Sequence, residues 1–376
     1  MSRTQWIVLG WSALCAVTIE AAEPVIVAQG AGPRAPKQPQ AAVSSDGTVH
    51  LVYGVGDMVQ YSRSTDGGKS FSKPADAFRV SNMPVGRRRG PRIVAAEGAI
   101  VVTAVGGAQG KGRDGDIEAW RSVDNGKTWS GPVRVNDVSA SAREGLHGMA
   151  AGPDGSVWCV WLDLREKKSE VYASKSTDGG ATWSPNVCVY RSPDGHVCEC
   201  CHPSIAVDRE GVHVMFRNWL DGNRDMYVAT SKDGGQSFGD AKKLGLGAWK
   251  LDACPMDGGM LASGENGALV TVWRRDKQVF HASSAGGKEQ LLGTGEQPWV
   301  ASGPRGPVIV WTSAREGDLW LQSADSRQPQ KLAGAAGFPM VASANNGNGL
   351  VIACWESNRN GQMAVMSMRV DAPRAK

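Results

Sequence analysis

Short apolar runs recur along the chain at nearly regular intervals, and most of them open directly after an X-Pro step. The intervals between successive openings are 52, 57, 55, 52, 43 and 41 residues. Short runs of this kind, bounded by turn residues, are typical of β-strands. The openings stand at Gln38-Pro39, Gly90-Pro91, His147-Gly148, His202-Pro203, Cys254-Pro255, Gln297-Pro298 and Phe338-Pro339.

A second apolar run follows each opening after a Gly-containing turn, and nearly all of these second strands end in an aromatic residue. We predict that the aromatic residues pack between neighbouring units, and sugar-stacking platforms are the alternative. The predicted second strands are Thr48–Tyr53, Ala99–Ala104, Ser156–Trp161, Val212–Phe216, Ala268–Trp273, Pro307–Trp311 and Leu350–Trp355.

One polar turn motif occurs four times, and its copies start 58, 54 and 55 residues apart. A fixed period of this size indicates an array of supersecondary units. An Asp followed by Gly-Gly or Asn-Gly favours a tight hairpin turn with positive φ, in which the carboxylate accepts backbone N–H groups. We expect the aromatic residue five positions after the Asp to fold back onto the hairpin. The copies are Ser64–Phe71, Ser122–Trp129, Ser176–Trp183 and Ser231–Phe238.

The pattern S-x-D-x-G-x-[TS]-[WF] resembles the Asp-box, or BNR, repeat of the sialidase-like β-propellers. The resemblance implies that the Asp boxes are structural and lie away from the functional face. Seven units of three to four short strands predict an all-β fold, a β-propeller with Asp-box repeats and seven blades. Six blades, as in the sialidases themselves, are the alternative. The segment Glu23–Gln29 has no unit of its own, so we expect it to complete the last blade and close the ring.

The N-terminus has the pattern of an export signal. Arg3 provides the positive charge, Trp6 to Ile19 form an apolar run, and Ala21-Ala22 offer a cleavage site. We therefore predict a signal peptide at residues 1–22, a single propeller domain at 23–376, and a periplasmic or secreted protein in which disulfides are permitted. No later stretch is long and apolar enough to span a membrane.

Composition narrows the class of partner. The formal charge of +4 is mild for 376 residues, and no basic patch is interleaved with stacking aromatics. Nucleic acid is therefore not an expected partner. In a four-stranded antiparallel blade the Asp boxes join strands three and four. The loops between strands two and three, and the crossovers between blades, then share the opposite face, which we expect to be functional.

Cysteines and histidines are concentrated in the crossovers of that face. Equivalent positions in three consecutive units hold His147, His202 and Cys254, and Cys198, Cys200 and Cys201 lie just before His202. Thiolates and imidazoles together suit copper or zinc, so these six residues form a candidate metal site. Two disulfides among these cysteines and Cys188, with one thiol left over, are the alternative. The run from Cys198 to His202 also matches the C-x-x-C-H pattern of haem c attachment, but a strand start followed by proline disfavours haem.

Charged residues form a second constellation on the same face. Arginine forks bind carboxylates and phosphates in bidentate fashion, so a basic funnel built from loops favours an anionic glycan. Solvated charges that pair with one another are the alternative. The candidate catalytic residues are Arg92, Asp163, Arg217, Arg224 and Asp225.

Three functions are compatible with these patterns. The first is an exported binding or accessory propeller with a Cys/His site that holds a soft metal or is locked by disulfides. The second is an exo-sialidase-like glycoside hydrolase acting on acidic glycans. The resemblance implies a late Tyr paired with a Glu as the nucleophile, but the chain has no Tyr after Tyr227. A scaffold that binds a protein partner is a third reading.

Overall fold

The computed structural model describes residues 23–264, 268–283, 287–344 and 349–370. The predicted signal peptide lies outside the described residues. Within those ranges the chain forms strands and one short 3-10 turn at Gly32–Arg34. No described helix has the length and apolar character needed to cross a membrane. The all-β prediction is therefore confirmed.

The described strands are β1 (Val25–Gly30), β2 (Lys37–Val43), β3 (Val49–Val55), β4 (Met58–Ser64), β5 (Ala75–Arg79), β6 (Arg92–Ala96), β7 (Ala99–Gly106), β8 (Asp116–Ser122), β9 (Ser130–Arg134), β10 (His147–Ala151), β11 (Val157–Asp163), β12 (Glu170–Ser176), β13 (Val187–Tyr190) and β14 (Ser204–Val207). The chain continues with β15 (Val212–Arg217), β16 (Met226–Ser231), β17 (Lys242–Lys243), β18 (Met260–Ser263), β19 (Leu269–Arg275), β20 (Gln278–Ser283), β21 (Gln290–Thr294), β22 (Glu296–Gly303), β23 (Gly306–Thr312), β24 (Gly317–Ser323), β25 (Gln330–Ser343), β26 (Val351–Arg359) and β27 (Gln362–Arg369).

Consecutive strands pair into antiparallel sheets. Five sheets have four strands each, in the orders β2-β3-β4-β5, β6-β7-β8-β9, β10-β11-β12-β13, β14-β15-β16-β17 and β18-β19-β20-β21. The remaining strands form one seven-stranded sheet in the order β22-β23-β24-β25-β26-β27-β1. Its long strand β25 pairs with β24 through residues 330–336 and with β26 through residues 336–343.

The N-terminal strand joins the far end of the chain. In β1, Val25 pairs with Ser367 and Gly30 pairs with Met363 of β27, so the predicted completion of the last unit is confirmed. The first strand of each sheet also contacts the first strand of the next, from β2 through β6, β10, β14 and β18 to β22. Strand β25 contacts both β22 and β2, and so closes the circuit. A parallel bridge between Val43 and Ala344 supports this last contact.

The hydrophobic cores lie between neighbouring sheets. The aromatic residues that end the second strands are at most 2 % exposed, which confirms the packing interpretation over exposed stacking platforms. Burial of so large an apolar surface at every junction is the main favourable term that holds the circuit together. These residues are Tyr53, Trp161, Phe216, Trp273, Trp311 and Trp355.

Each Asp box closes a turn between the third and fourth strands, as predicted. In the second copy the Asp124 carboxylate accepts bonds from the Thr128 amide at 2.9 Å and the Thr128 hydroxyl at 2.6 Å. The same bonds recur in the other three copies. The expected position of the box aromatic was wrong. Trp129 packs edge-on against Tyr61 and Phe78 of the preceding sheet, because these rings offer edge-to-face partners for its indole.

Candidate functional site

The cysteine-rich crossover lies between β13 and β14, on the face opposite the Asp boxes. Cys200 and Cys254 form a disulfide with an S–S distance of 2.41 Å, which links this crossover to the one before β18. Cys198 and Cys201 remain thiols, and their sulfurs lie 3.1 Å apart. The Cys198 sulfur is 3.7 Å from that of Cys200. The structure therefore brings together four of the six predicted metal ligands, two of them as a disulfide.

The buried thiols differ in their electrostatic environment. The hydrogen bond with Cys201 and the positive charges of Arg217 and Arg224 hold the pKa of Cys198 below its usual value, against the effect of burial. Burial and the neighbouring Cys198 sulfur raise the pKa of Cys201. Arg224 donates from Nη1 to the Cys198 sulfur over 3.2 Å. Cys198 is thus the sulfur of the pair that more readily carries negative charge.

The two predicted histidine ligands lie together, but apart from the sulfurs. His147 and His202 line a small cavity at the centre of the circuit with Arg92 and Trp299, and no cysteine lines it. His147 bonds the Thr103 hydroxyl through Nε2 at 2.9 Å. Neither ring nitrogen of His202 has a hydrogen-bond partner among the described residues. Burial and the nearby arginines lower the pKa of His202, so its ring is neutral at pH 7.

The predicted arginines Arg92 and Arg217 are buried and bind main-chain carbonyl groups. Arg92 donates to the carbonyl oxygen of His147 at 3.1 Å. Arg217 donates to the carbonyl oxygens of Asp257 at 3.0 Å and Arg274 at 2.9 Å. Their guanidinium groups are occupied in joining neighbouring sheets, and their predicted catalytic role stays a prediction.

The predicted carboxylates Asp163 and Asp225 are likewise engaged within the scaffold. Asp163 accepts bonds from the Trp161 indole at 2.8 Å and from the Arg165 guanidinium at 2.9 Å. Asp225 accepts the Trp249 amide at 2.8 Å and forms an ion pair with Lys243 at 2.8 Å. Their predicted catalytic roles also stay predictions.

Sequence reasoning missed the cross-channel position of Arg88. From the loop before β6, Arg88 donates to the carbonyl oxygens of Gln297 at 2.9 Å and Pro339 at 3.0 Å. Its guanidinium carbon lies 4.8 Å from the ring centroid of Trp299. Burial lowers the pKa of Arg88 to about 10, so the side chain stays charged at pH 7. Only the closed circuit brings these partners together, and no local sequence pattern signals them.

Residues before proline orient two buried carboxylates. At Gln38 and Gln297 the chain takes positive φ values of 56° and 59°. The amide of Gln38 donates to Glu356 at 2.7 Å, and the amide of Gln297 donates to Asp257 at 2.7 Å. We interpreted the X-Pro openings as strand starts. At Gln38 and Gln297 the opening also directs a backbone amide towards a carboxylate of another sheet or crossover.

A small pocket opens beside Asp257 on the crossover face. It is lined by three arginines and two acids together with Phe338, and burial raises the pKa of Asp257. The Asp257 Oδ1 atom has no hydrogen-bond partner within the part of the chain that the structure describes. Glu296 was not predicted, and its place next to an X-Pro opening is the signal that could have found it. The charged lining residues are Arg87, Asp257, Arg274, Glu296 and Arg315.

The opposite face has a larger opening. A cavity of about 1430 Å³ lies where the turns between first and second strands meet the Asp boxes. Its lining contains Asp46, Glu97, Asp208 and Glu210, with Arg209 as a basic residue. These side chains belong to turns at the ends of strands, and none of the predicted site residues lines this cavity.

The sheets and the Asp boxes together define a BNR-type β-propeller. The sequence matches the family described as BNR repeat-like domain over residues 93–348, so the chain belongs to this family. Among curated proteins, none matches the sequence.

Solved structures with this fold have diverse functions. A protein of unknown function from Dyadobacter fermentans has a TM-score of 0.57 and 14% identity, covering 94% of this chain and 99% of that one. An α-L-arabinofuranosidase from Fusarium graminearum has a TM-score of 0.55 and 14% identity over 94% and 98% of the two chains. A PL25 ulvan lyase has a TM-score of 0.56 and 12% identity over 93% and 96%. At these identities the similarity shows the fold alone.

Proposed function

We propose that this protein is an exported accessory propeller that binds a soft metal ion through Cys198 and Cys201. The observation that carries the proposal is the pair of buried sulfurs 3.1 Å apart, beside a disulfide that withholds Cys200 and Cys254. Thiolates prefer soft ions such as Cu(I). A structural zinc site usually takes four protein ligands, and the paired cysteines leave only two thiols in the cluster. Cu(I) therefore suits the site better than zinc.

Copper binding can be tested with matched cysteine variants. Protein purified from the periplasm without a metal-binding tag is titrated anaerobically with Cu(I) against a chromogenic chelator. We expect about one equivalent per chain in the wild type and in Cys354→Ala, which removes a buried thiol of β26 outside the cluster. Cys198→Ala should lose the bound copper. The proposal fails if the wild type takes up no copper or if Cys198→Ala retains it.

We further propose that the protein is periplasmic or secreted. The export pattern of residues 1–22 and the Cys200–Cys254 disulfide both support an oxidising compartment. N-terminal sequencing of protein from the cell fractions tests the proposal. A mature chain beginning at Glu23 in the periplasm or medium is the expected result, whereas an intact N-terminus in the cytoplasm would contradict it.

We also propose that the ring has seven blades, with the seven-stranded sheet counted as two blades that share β25. The change of partner within β25, from β24 to β26, supports this count. Six blades are the alternative. An experimental electron-density map would decide between them, because six blades would require β22–β27 to form a single radial sheet.

A second candidate function is hydrolysis of acidic glycans at the pocket beside Asp257. The specific observation in its favour is three arginines next to a buried carboxyl group whose pKa is raised. A carboxylic acid kept protonated can act as a general acid. The solved structures named above include glycan-active enzymes, which adds support at the level of the fold.

The glycan hypothesis is tested with a panel of sialosides and uronides. If it holds, Asp257→Asn should lower turnover by roughly a hundredfold or more, because the general acid is lost. Asp252→Asn alters an exposed acid of the same crossover and should leave turnover unchanged. Absence of turnover by the wild type on every substrate would remove this candidate.

A further inference from the structure

The four clustered sulfurs have the geometry of a dithiol placed against a disulfide. The Cys198 sulfur lies 3.1 Å from Cys201 on one side and 3.7 Å from Cys200 on the other. Cys200 is bonded to Cys254, so the Cys198 sulfur is close to a sulfur that it could attack. Disulfides exchange by attack of a thiolate on one sulfur while the other leaves. The guanidinium of Arg224, 3.2 Å from the Cys198 sulfur, stabilises a negative charge there.

We propose that Cys198, Cys201 and the Cys200–Cys254 disulfide form a thiol–disulfide exchange unit that frees the Cys254 sulfur at the surface. In the first step the Cys198 thiolate bonds to the Cys200 sulfur, the Cys200–Cys254 bond breaks, and Cys254 leaves as a thiolate. In the second step Cys201 transfers its proton to the Cys254 thiolate and attacks Cys198, and Cys200 leaves as a thiolate.

The exchange is balanced within the chain. One disulfide, one thiolate and one thiol are present before the two steps and after them, so the exchange needs no external oxidant or reductant. After both steps the disulfide joins Cys198 to Cys201. Cys200 is then a thiolate and Cys254 a thiol.

The burial of the sulfurs determines which thiol the exchange brings to solvent. Cys198, Cys200 and Cys201 are buried, at 0 %, 7 % and 1 % exposure, whereas Cys254 belongs to an exposed segment. Each exchange therefore converts a buried thiol into one at the surface. As a thiolate, Cys254 can attack the disulfide of another molecule to form a mixed disulfide with release of one thiolate. The expected substrate class is a compound or protein that carries an accessible disulfide.

The scaffold keeps the two crossovers in place when the disulfide opens. Arg224 donates to the carbonyl oxygen of Leu251 at 3.2 Å, three residues before Cys254. Arg217 donates to the carbonyl oxygen of Asp257 at 3.0 Å, three residues after it. These bonds do not involve sulfur, so the segment that bears Cys254 stays near its partner and the exchange can reverse.

The exchange unit is independent of the metal-binding proposal, because it needs no ion. A soft metal bound to Cys198 and Cys201 would block the exchange, so the two activities would exclude each other on one molecule. Copper titration tests the first proposal and disulfide mapping in metal-free buffer tests the second. Failure of one experiment leaves the other interpretable.

Trypsin separates the relevant sulfurs into two peptides. Cys198, Cys200 and Cys201 lie together in the peptide 192–209, and Cys254 lies alone in the peptide 251–274. The full mature chain is incubated with N-ethylmaleimide in metal-free buffer, quenched at increasing times, digested without reduction and analysed by mass spectrometry. A static disulfide keeps the two peptides cross-linked at all times.

If exchange occurs, the wild type should release the peptide 251–274 with one maleimide on Cys254. An equal amount of the peptide 192–209 should carry an internal disulfide. Cys198→Ala removes the attacking sulfur, so release should fall roughly tenfold or more. In Cys201→Ser the first step remains, and the internal disulfide should join Cys198 to Cys200. Cys188→Ala removes a partly exposed thiol outside the cluster and should behave as the wild type.

Two results would overturn the proposal. One is a wild type whose two peptides stay cross-linked for as long as those of Cys198→Ala. The other is labelled Cys254 accompanied by a peptide 192–209 without an internal disulfide, which would mean that the bond was reduced or had never formed. Circular dichroism of each variant shows whether it is folded, and Cys201→Ser keeps the first step testable if Cys198→Ala is not.

Discussion

At the scale of single residues, the glycine two positions after the Asp of each Asp box meets two requirements at once. Gly235 has a φ of +87°, and a Cβ atom placed there would lie 2.1 Å from the Trp158 ring of the preceding sheet. Gly234 has a φ of +72°, but a Cβ there would meet nothing within 4 Å. The box is therefore both a local turn and a close contact between sheets.

We predict that Gly235→Ala destabilises the protein by about 2–4 kcal/mol, because backbone strain adds to the clash with Trp158. Gly234→Ala is the matched control and should cost only about 1 kcal/mol, since it carries the strain without the clash. Urea unfolding followed by tryptophan fluorescence measures both values. Equal losses would show that the contact with Trp158 contributes nothing.

Glu356 couples stability to pH. Burial raises the pKa of its carboxyl from 4.5 to about 7, against the bonds from Gln38 and the charges of Lys37 and Arg88. Between these two values the unfolded chain has released the proton and the folded chain still holds it. Stability contributed by this group is therefore full below pH 4.5, falls as the pH rises to about 7, and is constant above that.

We predict that Glu356→Gln stabilises the protein at pH 8 by up to about 3 kcal/mol and changes stability little at pH 4.5. The Gln side chain keeps an acceptor for Gln38 and has no charge to bury. Thermal unfolding midpoints of the two proteins at both pH values test this. A difference between the proteins that is the same at pH 4.5 and pH 8 would rule out the raised pKa.

The sequence predicts residues whose contacts are local and misses those whose contacts are distant. The Asp-box bonds could be inferred because Asp124 and Thr128 are four positions apart. The pairing of Cys200 with Cys254 could not be chosen among the cysteines, since it joins residues 54 positions apart. The partners of Arg88 could not be predicted either, since they lie more than 200 positions away.

At the scale of elements, strand β1 bears on the stability of the whole ring. Val27 is 6% exposed and belongs to the core that β1 shares with the seven-stranded sheet and with β2 and β3. Its neighbour Ile26 is 45% exposed. The strand thus presents an apolar residue to the core and another to solvent in adjacent positions.

We predict that Val27→Asp destabilises the protein by about 3 kcal/mol or more, because it buries a charge without a partner. Ile26→Asp places the same side chain in the exposed position, and its effect should stay within about 0.5 kcal/mol. Guanidinium unfolding midpoints of the two variants compare them directly. Similar losses would indicate that β1 does not contribute a buried side chain.

Most element positions follow from apolar runs and turns. Every predicted second strand overlaps an observed strand, from β3 to β26, with ends that differ by a few residues. Two of the predicted openings are exceptions. At the seventh, Phe338-Pro339 lies inside β25, which begins at Gln330. At the fifth, the run was expected to begin after Pro255, but β18 begins at Met260. The residues between Pro255 and Met260 belong to the candidate site instead, because the carbonyl oxygen of Asp257 accepts a hydrogen bond from Arg217.

At the scale of the whole molecule, Arg88 ties one side of the ring to the other. Its two carbonyl partners, at Gln297 and Pro339, belong to β22 and β25, whereas Arg88 itself precedes β6. The neighbouring Arg87 is exposed. Within the described part of the chain, its side chain donates one hydrogen bond, to the Met256 sulfur at 3.5 Å.

We predict that Arg88→Ala destabilises the protein by about 2–4 kcal/mol, because two buried carbonyl groups lose their donor. Arg87→Ala should change stability by less than about 0.5 kcal/mol. Differential scanning calorimetry of the two variants measures both effects. If both variants unfold at the wild-type temperature, Arg88 does not hold the opposite sides together.

The global fold was predictable because repetition carries it, whereas the site was not. Four Asp boxes and seven openings repeat one unit, and a repeated unit can be recognised without knowing its neighbours. The site has no repeat, since His147, His202 and Cys254 occupy related crossovers but only the two histidines line one cavity. The disulfide to Cys200 places Cys254 with the thiols instead.

The pairing of β1 with β27 also sets the order in which the chain can mature. The first strand to be synthesised has its partner, β27, near the end of the described chain. Until then, β1 remains an unpaired edge that any other strand could occupy. A nascent chain that stalls late in synthesis would therefore have most of its sheets but an open ring. A factor that shields this edge would need to protect a single strand until β27 has been made.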